Sequence, residues 1–337
     1  MAAYVPTRPL GASRDAQDVN QALADAAALA GYAPSIHNTQ PWRWRLSADT
    51  LDLHLECSRL LAVTDPDHRL ATLSCGAALD HARTGLAAQG WHATVTRLPD
   101  SNDPDHLARL QVDGRTPPDP RAAHLAQTIL VRHTDRRPVT GVAVTAADLA
   151  DITASVEAHD TWLHVLRNDQ LYDLASAADH AQRVEGAQPQ WRDELGQWTG
   201  GTRPGGTGIP DAAIPADNPQ TPVPGRDFGH PGTMSVSTEH DRAAVFAMLY
   251  GRSDEPLGWL RAGEALSAGW LTATERGLTV LPISAPIEVV GTRQVLRHLV
   301  SDLGHPYLVI RLGLVDPTAV PAPHTPRLPA EQIIERS

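Results

Sequence analysis

The chain of 337 residues contains no lysine, since all 28 of its basic residues are arginine. This absence excludes Schiff-base chemistry on a lysine and the lysine of a phosphate-binding P-loop. Any phosphate must be held by arginine guanidinium groups, backbone N–H groups or hydroxyls. A bias in genomic base composition would explain the missing lysine, but the exclusion holds whatever its cause.

Cysteine, aromatic residues and long apolar runs are also scarce. Both cysteines, Cys57 and Cys75, are expected to be core thiols in a reducing cytoplasm. No apolar run approaches the ~18–20 residues of a membrane-spanning helix, and residues 1–6 show no secretion signal. The formal net charge of −11 argues against a nucleic acid or an anionic membrane as partner. We therefore expect a cytoplasmic protein that acts on small molecules.

Three common functional motifs are missing. The 16 histidines include no His-Glu-x-x-His, and we predict no metal site. The Gly-x-Ser-x-Gly turn of serine hydrolases does not occur. A dinucleotide fold would need Gly-x-Gly-x-x-Gly between a strand and a helix, whereas the glycines at 200–208 lie in an aperiodic insert. No side chain is therefore singled out as catalytic.

Hydrophobic periodicity predicts a mixture of helices and strands. Predicted helices cover 15–31, 69–89, 121–131, 145–156, 168–198, 257–276 and about 289–300, with a short piece at 331–336. Predicted strands cover 42–46, 51–55, 92–98, 107–112, 161–166, 242–250 and 307–312, and residues 281–285 are predicted to form a loop.

The chain is predicted to have two halves, residues 1–117 and 118–337. Three prolines at 117–120 mark the boundary, because they cannot continue a helix or a central strand. Both halves repeat a coarse order of helix, tight loop, further helices and strands, without a letter-for-letter period. An insert at 200–234 holds 8 glycines and 7 prolines, so we expect no regular element there but a lid, a binding loop or a disordered segment.

The segment Ala33–Trp42, with the sequence APSIHNTQPW, predicts a stiff turn rich in amides and hydroxyls. Ser35, Asn38 and Gln40 can each donate and accept hydrogen bonds, as the pyrimidine edge and ribityl chain of a flavin require. Flanking prolines would hold these groups in place at little entropic cost. The alternative is a helix-to-strand turn whose polar groups satisfy only its own backbone.

The segment Arg132–Pro138, with the sequence RHTDRRP, places three arginines around a threonine. Arg132 and Arg136 would repel each other unless an anion or carboxylates lie among them. An FMN phosphate that accepts arginine bonds and the Thr134 hydroxyl would fit. The alternative is a solvated basic turn balanced by Asp135 and neighbouring acids. Together with the turn, this segment is interpreted as one FMN site.

Four segments resemble motifs of the nitroreductase superfamily. Residues 33–42 resemble its signature turn, and residues 132–136 are similar to its arginine motif. Residues 263–284 resemble its flavin-edge helix and loop, and residues 325–329 resemble its closing, phosphate-contacting tail. The resemblance implies an α+β, nitroreductase-like fold, an FMN-binding α/β sandwich.

The order of these motifs resembles the Acg-type branch of the superfamily. Ordinary nitroreductases place the arginine motif first and complete each FMN site with a second subunit, whereas here the turn comes first. The resemblance implies one chain with two pseudo-repeated halves that mimic the family's homodimer. Such a chain would hold one FMN and be a monomer or a weak homodimer.

The expected cofactor-binding residues fall into three groups. Those near the flavin ring and ribityl chain are Pro34, Ser35, His37, Asn38 and Gln40. Those near the phosphate are Arg132, Thr134, Arg136 and Arg327. Two more, Ser284 and Ala285, stand where the resemblance implies backbone N–H groups aimed at flavin N5 and O4.

The resemblance implies an oxidoreductase. NAD(P)H would reduce the flavin at N5, and a nitroaromatic, quinone or similar small acceptor would then take the electrons. The alternative is an FMN-sequestering or stress-related sensing protein, in which the insert at 200–234 covers the flavin and prevents turnover. A third possibility is a protein that has kept the fold, lost the cofactor and acts through interactions.

Overall fold

A computed structural model describes most of the chain: residues 12–139, 141–201, 203, 205–217, 219, 221–236, 241, 243–316 and 322–336. The expectation for residues 1–6 lies outside these ranges, as do single residues of the insert and Arg242 of a predicted strand. Within the described ranges the chain folds into helices and two separate β-sheets.

The first sheet has five strands in the order β3-β4-β2-β1-β9. These strands are β1 (Trp42–Leu46), β2 (Thr50–Leu55), β3 (Trp91–Arg97), β4 (His106–Arg115) and β9 (Ile334–Arg336). Along β1, Trp42 and Trp44 are buried while Arg43 and Arg45 are exposed. This alternation is typical of a sheet with one solvated face. The helices α1 (Ala12–Ala30) and α2 (Arg69–Ala88) contact the sheet.

The second sheet has four antiparallel strands in the order β5-β6-β8-β7. These strands are β5 (Trp162–Val165), β6 (Val245–Gly251), β7 (Thr279–Ile283) and β8 (His305–Gly313). The helices of this part of the chain are α3 (Pro120–Val131), α4 (Ala146–Glu157), α5 (Asn168–Ala187), α6 (Pro189–Trp198), α7 (Pro256–Glu275), α8 (Ala285–Glu288) and α9 (Val290–Leu299), and α10 (Ala330–Ile333) precedes β9. Central strand β8 is buried almost throughout, as an inner strand covered on both faces requires.

Helices α2 and α7 touch backbone to backbone where two glycines face each other. A Cβ atom on Gly76 would lie 1.9 Å from the carbonyl oxygen of Leu260, and one on Gly263 would lie 1.9 Å from the carbonyl oxygen of Leu73. Only glycine allows this approach. Because α2 belongs to the predicted first half and α7 to the second, this crossing joins the two.

Most predicted elements are confirmed, and four expectations were wrong. The helix predicted over 168–198 is two helices, because Pro189 starts α6 after a break. Residues predicted as the loop 281–285 include the end of β7. The tail piece 331–336 is one helical turn followed by β9, which pairs in parallel with β1 and so brings the end of the chain into the first sheet. Cys75 is buried as expected, but Cys57 is exposed.

The glycine contact predicts a large effect of a small substitution. Gly76→Ala is expected to lower the free energy of unfolding by more than the ~1–3 kcal/mol of ordinary overpacking, because the new methyl group would overlap a backbone carbonyl. Gly196→Ala in α6 is the control: no atom lies within 4 Å of its Cβ position, so a gain of about 0.5–1 kcal/mol is expected. Chemical denaturation measures the free energy of unfolding of both variants. If Gly76→Ala is as stable as wild type, the close backbone contact between α2 and α7 is contradicted.

Candidate functional site

A cavity of about 480 Å³ is enclosed by segments from distant parts of the chain. Its wall is formed by the turn after α1, the start of α2, the arginine segment after α3, the insert, the β7–α8 junction and the tail. All but one of the residues predicted to bind the cofactor line it: Pro34, Ser35, His37, Asn38, Arg132, Thr134, Arg136, Ser284, Ala285 and Arg327. The remaining one, Gln40, does not.

The turn after α1 holds three non-glycine residues in the left-handed region. The angle φ is 44° at His37, 56° at Asn38 and 52° at Gln40. Such conformations cost about 1–3 kcal/mol each and persist where surrounding contacts impose them. One of these contacts closes the turn, because the Ser35 hydroxyl accepts a hydrogen bond from the Gln40 backbone N–H at 3.0 Å.

Asn38 connects the turn to the insert and to the tail. Its Nδ2 donates to the carbonyl oxygens of Gly208 and Pro326, each at 3.0 Å. Its Oδ1 accepts a hydrogen bond from Nη1 of Arg327 at 3.0 Å. Three distant segments therefore meet at one buried amide on the cavity wall.

Gln40 has a similar connecting role but faces away from the cavity. Its Nε2 donates to the carbonyl oxygen of Gly206 at 2.7 Å, and its Oε1 accepts from the Leu328 N–H at 2.9 Å. The side chain is fully buried. This position does not support the predicted contact between Gln40 and a flavin.

Arg132, which is buried, and Arg327, which is partly exposed, form a pair of like charges. Arg132 is 3% exposed, donates to the Tyr32 carbonyl oxygen at 3.0 Å and lies over the Trp270 ring at 4.5 Å. Burial, and then the neighbouring Arg327, lower the pKa of Arg132 far below its usual range. Burial lowers the pKa of Arg327 to about 10.

No carboxylate in the described part of the chain lies within salt-bridge distance of either guanidinium. The Nε of each arginine is also buried without a hydrogen-bond partner. A buried cation beside a second cation, with no counter-ion, is costly, and an oxyanion would satisfy both of them.

Arg136 lies apart from this pair. Its Nη1 donates to the carbonyl oxygen of Ala213 in the insert at 3.0 Å, and its guanidinium lies 5.5 Å from the Phe228 ring centre. Burial and the nearby Arg226 lower its pKa to about 10, against a smaller opposite effect of Asp135. Arg136 contacts the insert, whereas Arg132 and Arg327 both donate to the Tyr32 carbonyl oxygen, so this position does not support the predicted grouping of Arg136 with the phosphate.

The acid expected to balance the arginine segment, Asp135, pairs with one of its three arginines, Arg137. The Asp135 carboxylate is fully buried and pairs with Arg137 at 2.6 Å. Its backbone N–H donates to the carbonyl oxygen of Val280 at 3.1 Å, beside a parallel bridge between Thr134 and Val280. The segment is therefore fixed along β7, which leads directly to Ser284.

A second charged cluster lies beside the cavity, centred on Arg226 of the insert. Arg226 pairs with Glu185 of α5 at 3.1 Å and with Glu288 of α8, and its Nη2 lies 3.4 Å from the Ser284 hydroxyl. All three charged side chains are largely or fully buried. The cluster ties the insert to the body of the protein.

The pKa values of the two carboxyl groups of this cluster are shifted in opposite directions. Burial raises the pKa of Glu185 to about 8, a shift that Glu288 reinforces and Arg226 opposes. Burial would also raise the pKa of Glu288, but Arg226, His37 and Ser284 together hold it below its usual value. Burial thus favours the protonated form of Glu185, whereas Arg226 favours the ionised form of Glu288.

His37 stands between the turn and this cluster as a neutral imidazole. Burial, Arg226 and Arg136 lower its pKa to about 3, although Glu288 acts in the opposite direction. Its Nε2 is buried without a partner. A neutral ring offers a ligand either a donor or an acceptor.

Sequence reasoning missed Arg226, Glu185 and Glu288, although two of them left a signal. Glu185 follows buried Leu174 and Ala181 at helical spacing and so falls on the buried face of α5. Glu288 is the only charged residue in the apolar run 285–290. A carboxylate in either position needs a buried partner. Arg226 lies in the aperiodic insert and left no such signal.

The insert covers the cavity. Its residues from Ile209 to Pro231 supply a large part of the wall, much of it proline and other apolar side chains. Among its described residues the one helical element is a 3-10 turn at Asp211–Ala213. The high glycine and proline content of the insert predicts this scarcity of regular structure. In the described ranges, no helix has the length and apolarity to cross a bilayer, and no three His, Cys, Asp or Glu side chains converge as metal ligands.

Curated proteins related to this chain match nearly all of it. A Mycobacterium tuberculosis protein provisionally named NAD(P)H nitroreductase Rv3131 is 39% identical over 329 residues, which cover 95% of this chain and 92% of the relative. A second M. tuberculosis protein, provisionally named NAD(P)H nitroreductase acg, is 32% identical over 322 residues, which cover 95% of this chain and 97% of the relative. No family model matches the chain.

Solved structures similar to this one include two nitroreductases. One, from Bacteroides fragilis with bound FMN, has a TM-score of 0.38 and 13% identity and covers 60% of this chain and 93% of its own. The other, the FMN- and NADPH-dependent NfnB of Sphingopyxis sp. strain HMH, has a TM-score of 0.39 and 16% identity and covers 63% and 97%. Because the identity to Rv3131 and acg extends over nearly the whole of each chain, the protein belongs to the nitroreductase superfamily, in the branch that includes acg.

Proposed function

We propose that the protein is an FMN-dependent oxidoreductase of nitroreductase type, which passes electrons from NAD(P)H to a nitroaromatic, quinone or similar small acceptor. The observation that carries this proposal is the pair of buried Arg132 and partly exposed Arg327, two cations without a carboxylate on the wall of a cofactor-sized cavity. The provisional names of the relatives and the FMN bound by the solved neighbours support it.

The cavity fits FMN in charge and in hydrogen bonding. We infer that Arg132 and Arg327 hold the phosphate through guanidinium N–H groups, including the two Nε atoms that have no partner. The Thr134 hydroxyl, on the same wall, is a third phosphate ligand. Pro34, Ser35 and Asn38 of the strained turn would contact the ring and the ribityl chain.

The other end of the cavity suits the isoalloxazine ring. We assign Arg136 to the pyrimidine edge, because it lies with Arg226 and His37 and apart from the phosphate pair. Ser284 and Ala285 line the wall where the flavin N5 edge is expected. Bound FMN supplies hydride and electron transfer, while these residues orient the ring and set the charge around it.

We propose that one chain holds one FMN and acts in the cytoplasm as a monomer or weak homodimer. The turn comes from the first predicted half and the arginine segment from the second, and both line the same cavity. The contact of α2 with α7 at Gly76 and Gly263 would then replace the subunit interface of a dimer.

FMN sequestration is the second candidate function. Several contacts hold the insert in place, among them Asn38 to Gly208, Gln40 to Gly206, Arg136 to Ala213, and Arg226 to its two glutamates. The cavity of about 480 Å³ lies in the lower half of the ~300–1,000 Å³ range for sites of a single ligand. NAD(P)H would therefore reach the flavin only when the insert moves.

Anaerobic mixing with NADPH separates the two candidates. The purified protein is expected to be yellow with one FMN per chain, and its flavin absorbance should bleach on mixing because hydride reaches N5. Retained colour with NADPH and with NADH would favour sequestration. Colourless protein that does not bind added FMN would contradict both.

Arg327→Met should weaken FMN binding by about 1–3 kcal/mol, the usual range for a hydrogen bond to a charged group. Arg132→Ala is expected to act in the same range. Isothermal titration of cofactor-free protein measures this loss. Arg183→Met is the matched control, since Arg183 is exposed and paired with Asp179 on the surface of α5. If Arg327→Met and Arg132→Ala both bind FMN as tightly as wild type, Arg132 and Arg327 do not bind the phosphate.

Arg136→Gln tests the assignment to the ring. Loss of a positive charge near the pyrimidine edge should destabilise the anionic reduced flavin more than the oxidised form. A midpoint potential lower by roughly 30 mV is expected, which corresponds to ~1.4 kcal/mol for a two-electron couple. A redox titration measures the midpoint potential. If Arg136→Gln leaves the potential unchanged but greatly weakens FMN binding, Arg136 contacts the phosphate and not the ring.

A further inference from the structure

Asn38 joins an arginine that we assign to the phosphate to the first part of the insert. Its Oδ1 accepts a hydrogen bond from Nη1 of Arg327 at 3.0 Å. Its two amide hydrogens go to the carbonyl oxygens of Gly208 and Pro326, each at 3.0 Å. A reversed amide would place an N–H group against the guanidinium and an oxygen against two carbonyl oxygens. The bond to Arg327 and the bond to Gly208 therefore form together.

The first part of the insert also packs against the turn and the tail through its backbone. The Gly208 N–H donates to the Asn38 carbonyl oxygen at 3.2 Å, so residues 38 and 208 exchange two hydrogen bonds. A Cβ atom on Gly206 would lie 2.6 Å from the carbonyl oxygen of Arg327. The angle φ is 88° at Gly206 and 80° at Gly208, which glycine adopts readily. The insert thus leaves the body of the protein in direct contact with Asn38 and Arg327.

The position of the Arg327 side chain depends on an anion. Its guanidinium has no carboxylate within salt-bridge distance in the described part of the chain, and the residue is partly exposed. Water therefore competes for this charge, and a guanidinium that turns to water leaves Asn38. Nη1 also contacts oxygens of Thr325 and Pro326, but these belong to the tail itself. An oxyanion in the cavity would hold the guanidinium inward.

A bound phosphate would complete a continuous series of polar contacts. The series runs from the phosphate to Arg327, from Arg327 to the Asn38 amide, and from the amide to Gly208 of the insert. Hydrogen bonds linked in this way polarise and strengthen one another. Charge at one end of the series therefore stabilises the closed insert at the other end.

Gln40 binds the same part of the insert without this link to charge. Its Nε2 donates to the carbonyl oxygen of Gly206 at 2.7 Å, and its Oε1 accepts from the Leu328 N–H at 2.9 Å. A longer contact of Nε2 reaches the Asn38 carbonyl oxygen at 3.5 Å. All of these partners are backbone groups. Gln40 therefore holds the insert to the same degree whether or not a phosphate is bound.

We propose that Asn38 is the positioning residue through which the phosphate of FMN closes the insert, so that the protein closes over FMN more firmly than over riboflavin, the same flavin without a phosphate. This inference rests on the proposed FMN site and adds a selection for the phosphorylated cofactor. It applies whether the closed protein turns over or only sequesters the flavin. Because coupling between two sites is reciprocal, a closed insert also raises the affinity for FMN.

Hydrogen–deuterium exchange of the insert tests the proposal. The backbone N–H groups of Gly208 and Ile209 donate to the carbonyl oxygens of Asn38 and Trp198, so they exchange when this part of the insert opens. With saturating FMN their exchange should be slower than with saturating riboflavin by about 5–150-fold, the usual range of coupling between two sites. Equal exchange in the two complexes of wild type would overturn the proposal.

Asn38→Gly removes the link while it keeps the backbone, because φ at this position is 56°. Exchange of the insert should become equal in the FMN and riboflavin complexes. Gln40→Gly, where φ is 52°, is the matched control. It also removes one side-chain bond to the insert, so exchange should be faster with both flavins while the ratio between them stays that of wild type. A wild-type ratio in Asn38→Gly would contradict the role of Asn38.

Arg327→Met breaks the series at its other end and needs no change in the turn. With saturating FMN its insert should exchange as fast as that of wild type with riboflavin. This comparison replaces the first if Asn38→Gly does not fold. Slow exchange in the FMN complex of Arg327→Met would show that another group closes the insert.

Isothermal titration gives the reciprocal measurement. Asn38→Gly should lower the ratio of FMN affinity to riboflavin affinity by the same factor by which it removes the difference in exchange. A contact of Asn38 with the ribityl chain would change both affinities alike and leave their ratio as in wild type. An unchanged ratio would therefore overturn the coupling and leave Asn38 as an ordinary flavin contact.

The outcomes separate this inference from the proposed function. A protein that binds FMN and is bleached by NADPH, but whose insert exchanges equally with FMN and riboflavin, is a reductase without the coupling. A protein whose insert is protected by FMN but whose flavin is not bleached has the coupling without the reductase activity.

Discussion

The backbone contact between α2 and α7 determines where the site can form. At Gly76 and Gly263 the two helices approach more closely than any side chain allows, and each helix then contributes to the cavity. Leu70, at the start of α2, lines one wall. The Arg132 guanidinium lies over the ring of Trp270 of α7, 4.5 Å from its centre. A shift of either helix would separate the turn from the arginine segment, although neither segment takes part in the crossing.

Charge is distributed unequally between the two ends of the cavity. Arg132 and Arg327 carry positive charge without a carboxylate, so their end favours an anion. Arg226 carries the same charge, but it is paired with Glu185 and Glu288. The chain has no lysine, so both ends depend on arginine, and the two ends differ in whether carboxylates pair with it.

The sequence predicts the parts of the site that are local. The turn at 33–42 and the arginine segment at 132–137 each concentrate polar groups within a few residues, and both line the cavity. The prediction for Gln40 rested on the same local pattern and lacks support, because its amide is used by Gly206 and Leu328, which lie far along the chain. The sequence did not predict strand β9, because its hydrogen-bonding partner, β1, lies at the other end of the chain.

Arg226 and its two glutamate partners link the position of the insert to the charge beside the cavity. Arg226 anchors the insert and is also the counter-charge of Glu185 and Glu288. If the insert moves to admit NAD(P)H, Arg226 moves with it, and Glu288 is left ionised in a buried site beside Glu185. The free energy of that state is high unless water or a further proton enters. Movement of the insert is therefore coupled to the charge of Glu185 and Glu288 through one ionic cluster.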